Sequence, residues 1–340
     1  ASKENLFAGR NKYVLKGSAG QGKSTVCQFL AQIYRTYFLK TYSANYDEQI
    51  EAFYSRLKQD NIQQPLCIRI PIRIELRIYS AWIIDQKSQS QKFDLITYIA
   101  SNIANKSNGE FDNETLRKYL ATYSWAFFFD GLDEVPESSN RKEVMEEILK
   151  FIKIELKQAD TDTLLFATTR PEGYVGEFDK NEFIHLDLLP LDYEGCINYL
   201  TKLLEAIEND STKKKEYLDI LERAIKNEQI AFMLKTPLQA TIMAILVRAG
   251  GEPPRDKYSL FKEYFEIIIK REKQKSTETI LNSNQELIEN VYYLLGYELQ
   301  KRSSTTDKSD ALLTLDELKD LISKKLNNDG LTFDTPNFTI

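Results

Sequence analysis

Residues 13–25 read YVLKGSAGQGKST: an apolar trio, Tyr13 to Leu15, runs into a glycine-rich stretch that ends in Lys23, Ser24 and Thr25. Behind it Val26, Phe29, Leu30, Ile33 and Tyr37 fall on one face of a helix. The order is therefore strand, glycine loop, helix. Gly17, Gly22, Lys23 and Ser24 satisfy G-x-x-x-x-G-K-[ST] without a mismatch. Glycines at such places let the backbone take positive φ and bring its N–H groups up to a phosphate. The helix that starts near Lys23 aims its positive end at the same anion. In this reading Gly17, Gly20, Gly22, Lys23, Ser24 and Thr25 bind the cofactor's phosphates. Lys23 reaches the β- and γ-phosphates, and the Ser24 hydroxyl ligates Mg²⁺. The bland alternative is a plain glycine turn between strand and helix.

Working outward, Ile68, Ile70, Ile72, Ile74 and Leu76 alternate with Arg69, Arg73 and Glu75, the pattern of a strand. Pro71 within it predicts an edge position or a bulge. Residues 106–114 read as a loop. The run WAFFF, 125–129, is continuously apolar, as a strand covered on both faces of a parallel sheet should be, and it closes in Asp130-Gly131-Leu132-Asp133-Glu134. Val144, Ile148 and Ile152 mark a following helix. Residues 164–167 form another buried strand, ending at Thr169-Arg170-Pro171, and Ile184, Leu186 and Leu188 a last one. Strands separated by helical segments predict an α/β domain, a doubly wound parallel sheet over residues 1–188.

Beyond it the periodicity is almost wholly helical. Stripes run through Ile197 to Ile207, through Tyr217 to Ile225 behind a cap at Ser211, from Leu238 to Val247 and from Leu260 to Ile269. The polar stretch 303–310 separates one more long helix from a short one around Leu315 to Leu326. We divide the chain into the α/β domain, a helical domain at 189–280 and a further segment at 281–340.

Composition narrows the function. The 340 residues carry a net charge of −6, so no overall basic footprint for nucleic acid or anionic membrane exists. Three scattered cysteines exclude a disulfide framework or a C-x-x-C zinc site. One histidine, His185, makes metalloenzymes and Ser-His-Asp hydrolases poor candidates; it alternates with Ile184 and Leu186 and reads as structural. No apolar run is long enough for a membrane helix and no signal segment opens the chain, so a soluble, cytoplasmic protein is expected. A chain that begins with Ala1 and stops at LTFDTPNFTI reads as a fragment of a longer one.

A phosphate loop needs a carboxylate on a neighbouring strand. Asp130, closing WAFFF, would hold Mg²⁺ through a water, and Asp133 or Glu134 would orient or deprotonate an attacking water. Glu134 is the weakly favoured base; a solvated acidic loop is the alternative.

FFFDGLDE, with its small residue after the first aspartate and its acidic pair, resembles the Walker B motif of NACHT-type NTPases, members of the STAND class of signal-transducing P-loop ATPases. LLFATTRPEG resembles that family's sensor strand, which implies that Arg170 reads the γ-phosphate; an ordinary surface ion pair stays open for it. LKTPLQATIMAIL resembles the helical-domain segment whose proline, here Pro237, packs on the adenine, although a proline in a helix's first turn is also common. YSLFKEYFEIIIKREK resembles the next family helix, and Leu287 to Leu326 the start of a winged-helix domain. Arg73 resembles a frequent family arginine on the second strand, with salt-bridge or solvated roles equally open. One departure is plain. Many members hold the β-phosphate of ADP with a winged-helix histidine, and no histidine follows His185.

The resemblance implies an ATP/ADP switch. Nucleotide exchange would drive homo-oligomerisation and effector activation in response to a ligand sensed outside these residues, in antiphage or innate immune defence. Hydrolysis would be slow and regulatory. The main alternative is an AAA+-like turnover ATPase acting on a macromolecule; a small-molecule kinase and a non-hydrolysing scaffold are the others.

Overall fold

The structure, a computed structural model, describes residues 11–43, 46–107, 109–135, 139–275, 285–305 and 313–328. The chain divides into two compact units, Ala1–Pro190 and Leu191–Ile340.

The first unit is α/β. Its strands are β1 (Lys12–Lys16), β2 (Ile70–Glu75), β3 (Trp125–Asp130), β4 (Thr163–Thr169) and β5 (Ile184–Asp187). All pairings are parallel and the order is β2-β3-β4-β1-β5. Parallel neighbours need crossovers, and helices supply them: α1 (Lys23–Tyr42) and α2 (Glu48–Gln59), then α3 (Leu76–Ser88), α4 (Leu95–Ser107) and α5 (Asn113–Thr122), then α6 (Arg141–Lys150). β2 is an edge strand, which explains how it tolerates Pro71. It is shorter than the alternation predicts, because Leu76 already starts α3. The predicted loop 106–114 is likewise trimmed by α4, which runs to Ser107, and by α5, capped by Asp112, whose side chain accepts the Thr115 N–H.

β3 is buried along its whole length. Alternation then splits its side chains between two cores. Trp125, Phe127 and Phe129 join Val14, Leu165 and Ala167 beneath α3 to α6, and Ala126 and Phe128 join Leu15, Phe166 and Cys27 beneath α1. Each fully buried phenylalanine contributes about 1.5–3 kcal/mol. β3 is therefore the strand least able to shift, and it carries Asp130 at its end. After Lys150 the helix widens into a π-helical segment, Phe151–Leu156, where the predicted α-spacing through Ile152 gives way. Phe151, Ile152 and Leu156 are buried there.

The second unit is helical over its described residues: α7 (Tyr193–Ile207), α8 (Ser211–Ile225), α9 (Glu228–Met233), α10 (Pro237–Arg248), α11 (Lys257–Lys275), α12 (Gln285–Thr305) and α13 (Leu315–Asn328). Leu200, Leu204, Leu221, Met243, Leu246 and Leu260 belong to its core. The α8 cap is Asp210, not Ser211: the Asp210 carboxylate accepts the N–H groups of Thr212 and Lys213, and Ser211 is the first helical residue. α12 and α13 fall in segment 281–340; the rest of that expected winged-helix segment, including most of 303–310, lies outside the described residues. Among the described residues no helix is long and apolar enough to cross a membrane.

Candidate functional site

The carboxyl ends of β3, β4 and β1 lie side by side, since these strands are consecutive in the sheet. Lys16 is level with Thr169, Phe129 with Ala167, and Glu75 with Asp130. The glycine loop, Arg170 and the acidic run thus leave the sheet at one edge, the edge where ligands bind in open α/β sheets.

Gly20 and Gly22 adopt φ of 77° and 89°, left-handed values that an L side chain rarely takes. Gly22 is the residue immediately before α1, so the chain turns sharply into the helix and leaves its first N–H groups free of a side-chain cap. Gly17 leaves room for its neighbours: a Cβ there would lie 2.9 Å from Gln21 Oε1 and 3.1 Å from Leu188, and both side chains would have to move. Lys23 Nζ donates to the Gly17 carbonyl at 2.7 Å, folding the ammonium against the loop's own backbone. Burial lowers the Lys23 pKa from the usual lysine value, with the charges of Asp133 and Arg170 acting on it in opposite senses. Ser24 and Thr25 occupy the first turn of α1 behind it.

Asp130 is almost wholly buried, and its carboxylate is already engaged. Arg73, on the neighbouring β2, donates to Oδ2 through Nε at 3.1 Å and Nη2 at 2.7 Å, while the Thr168 hydroxyl donates to Oδ1 at 2.7 Å. The same Thr168 oxygen accepts the Gly131 N–H at 2.8 Å. Replacing Thr168 with valine keeps the shape, strands both partners, and is expected to cost about 1–3 kcal/mol of stability in chemical denaturation. Gly131 follows with φ 80°, and a Cβ there would come within 3.1 Å of the Glu134 side chain. Here lies the physical reason for a small residue between Asp130 and the acidic pair. Gly131→Ala is expected to lose about 1–3 kcal/mol through strain and to shift Glu134; thermal unfolding checks it.

Asp133 and Glu134 share one turn, Leu132–Glu134, yet differ in surroundings. The Asp133 side chain is only 8% exposed; its Oδ2 receives Arg170 Nε at 2.7 Å and its Oδ1 is buried with no partner among the described residues. Glu134 is about half exposed, with Arg77 Nε 3.9 Å away. Partial burial raises the Glu134 pKa, and the negative charge of Asp133 raises it further, opposed by Arg77. A carboxylate with a raised pKa, open to solvent and lightly paired, suits a general base. A buried carboxylate ion-paired to an arginine suits positioning.

A divalent ion is expected at Ser24 and, through a water, at Asp130. Asp130 takes two hydrogen bonds from Arg73 on Oδ2 and one from Thr168 on Oδ1, which leaves one acceptor site, on Oδ1. Among the described residues no group of three or more His, Cys, Asp or Glu side chains could hold a metal. The hydrogen bonds on Asp130 exclude bidentate metal ligation by it and leave one acceptor site for the expected water.

Sequence reading passed over Thr168, Arg77 and Gln21. Thr168 had a signal, one of two hydroxyl residues that close the apolar run of a buried strand; Arg77 and Gln21 had none. The Gln21 carboxamide turns back to accept the Ser18 N–H and donates to the Leu188 carbonyl at 3.4 Å. Pro237 stands in the second unit as the first residue of α10, behind a capping box formed by Thr236 and Gln239, which accounts for a proline there. His185 is fully engaged, with Tyr174 Oη at 2.8 Å and the Phe183 carbonyl at 3.1 Å. Compared with known protein families and with curated proteins, the chain matches none.

Proposed function

We propose that the chain is the nucleotide-binding core of an ATP/ADP switch of the NACHT-type STAND class. The observation that carries this reading is the convergence on one sheet edge of a glycine loop with its lysine, an acidic run and an arginine, from three consecutive parallel strands. The loop N–H groups and Lys23 take the phosphates. Arg170, released from Asp133, meets the charge that an extra phosphate brings, and Glu134 takes the proton from the attacking water.

Asp133 gives the switch a physical basis. A ligand shifts an equilibrium only through contacts it makes in one state and not the other. Arg170 bound to Asp133 and Arg170 bound to a γ-phosphate are two such states. By the family resemblance, exchange of ADP for ATP would then expose surfaces for homo-oligomerisation in an antiviral or innate immune response, with the trigger sensed elsewhere.

The test is to purify the protein without added nucleotide, denature it, and chromatograph what is released. Near-stoichiometric ADP is the expected result. An empty site that turns over added ATP rapidly would overturn the switch in favour of a cycling ATPase.

A further inference from the structure

Within that reading, Asp130 presents a problem that Arg73 solves. A carboxylate only 3% exposed must be neutralised where it sits, and a bare negative charge there would repel an incoming phosphate. Arg73 approaches it from the edge strand, two fork nitrogens on Oδ2, while its third nitrogen, Nη1, is held at 2.9 Å by Glu75. The guanidinium is thus fixed from both sides, and it is itself three-quarters covered. Thr168 occupies the other Asp130 oxygen. A magnesium ion requires near-octahedral oxygen ligands at close range. To reach Asp130, directly or through one of its waters, it would have to settle beside the three-quarters-covered guanidinium that already neutralises the carboxylate.

We propose that Arg73 is the resident counter-cation of Asp130, and that the site therefore takes a nucleoside diphosphate without a divalent ion. The diphosphate is held by the loop N–H groups and Lys23, and the acidic strand end does not oppose it because Arg73 has already cancelled its charge. This inference rests on the nucleotide reading, and the experiment separates the two.

The experiment is calorimetric titration of the nucleotide-stripped protein with ADP, once with excess EDTA and once with excess MgCl₂. The expected affinities agree within about threefold. In Arg73→Gln the uncancelled Asp130 should weaken ADP about tenfold or more in EDTA, with Mg²⁺ restoring much of the loss. Arg73→Lys, which keeps the charge and gives up the fork, should fall between. A wild-type affinity that collapses tenfold or more in EDTA overturns the inference and leaves the nucleotide reading standing, whether or not the variants fold. Equal Mg²⁺-indifference in Arg73→Gln and wild type overturns the role given to Arg73. No ADP binding in either buffer removes the nucleotide reading, and the inference with it.

Discussion

Lys23→Ala is expected to weaken ATP and ADP binding by roughly 30- to several-thousand-fold, the 2–5 kcal/mol that removal of one partner from a desolvated charge pair costs. The reason is local. Lys23 follows the left-handed Gly22, so its place at the loop is set by backbone that cannot re-form elsewhere. Its Nζ already lies on the Gly17 carbonyl, so a phosphate gains the ammonium without a long rearrangement. The loss should appear in calorimetry with both nucleotides, while the thermal unfolding midpoint of the free protein moves little. Tight ATP binding retained by Lys23→Ala would sink the phosphate-loop assignment.

Glu134→Gln should leave nucleotide affinity within a few-fold and slow hydrolysis by about 10²–10⁴, the usual contribution of a positioned base. The variant should accumulate the ATP-bound state and any oligomer that state forms, read by light scattering. Its stability should move the other way. Burial and the Asp133 charge place the folded pKa of Glu134 above its unfolded value, so the native state binds the proton more strongly. Glu134 therefore subtracts stability once pH rises through its folded pKa, and subtracts none below the unfolded one. Glu134→Gln is thus expected to unfold at higher temperature than wild type near neutral pH, with the gain fading as the solution is acidified through the carboxylate range. Hydrolysis by the wild type should fall over the same acidic window, because the base is lost on protonation. An unchanged hydrolysis rate in Glu134→Gln would move the base elsewhere. Asp133→Asn is the informative contrast: it frees Arg170, so it should alter the discrimination between ATP and ADP more than the chemical step.

Much of the α/β unit is legible in the sequence because its signals are local. Five strands announce themselves by short apolar or alternating runs, and Pro71 marks the edge strand, since a missing N–H is tolerated only where no neighbour needs it. The helices Glu48–Gln59, Leu76–Ser88, Leu95–Ser107 and Asn113–Thr122 were harder to see. They are short, so tertiary packing stabilises them: Glu48–Gln59 sets Leu57 against Ile33 and Tyr37 of α1, and the other three put Tyr79, Ile99 and Leu116 into the core that β3 shares. The cap at Asp210 was misread by one residue because Ser211 also has the chemistry of a cap, and only backbone angle decides between neighbours.

The sequence by itself determined which groups reach the sheet edge: a lysine after a glycine loop, three carboxylates after an apolar strand, an arginine after another. Each follows from a short stretch in which strand, turn and residue type are contiguous. Tertiary structure alone decided how those groups are paired. Arg73 meets Asp130 across 57 positions and Thr168 meets it across 38, because parallel register places β2 and β4 on either side of β3. Arg170 is claimed by Asp133 and not by Glu134, a choice made by the left-handed turn at Gly131 and by burial of the first acid and not the second. A charge's partner depends on which side chains share a few ångströms of low-dielectric space, and in this chain strand order and register, rather than spacing along the sequence, place them there.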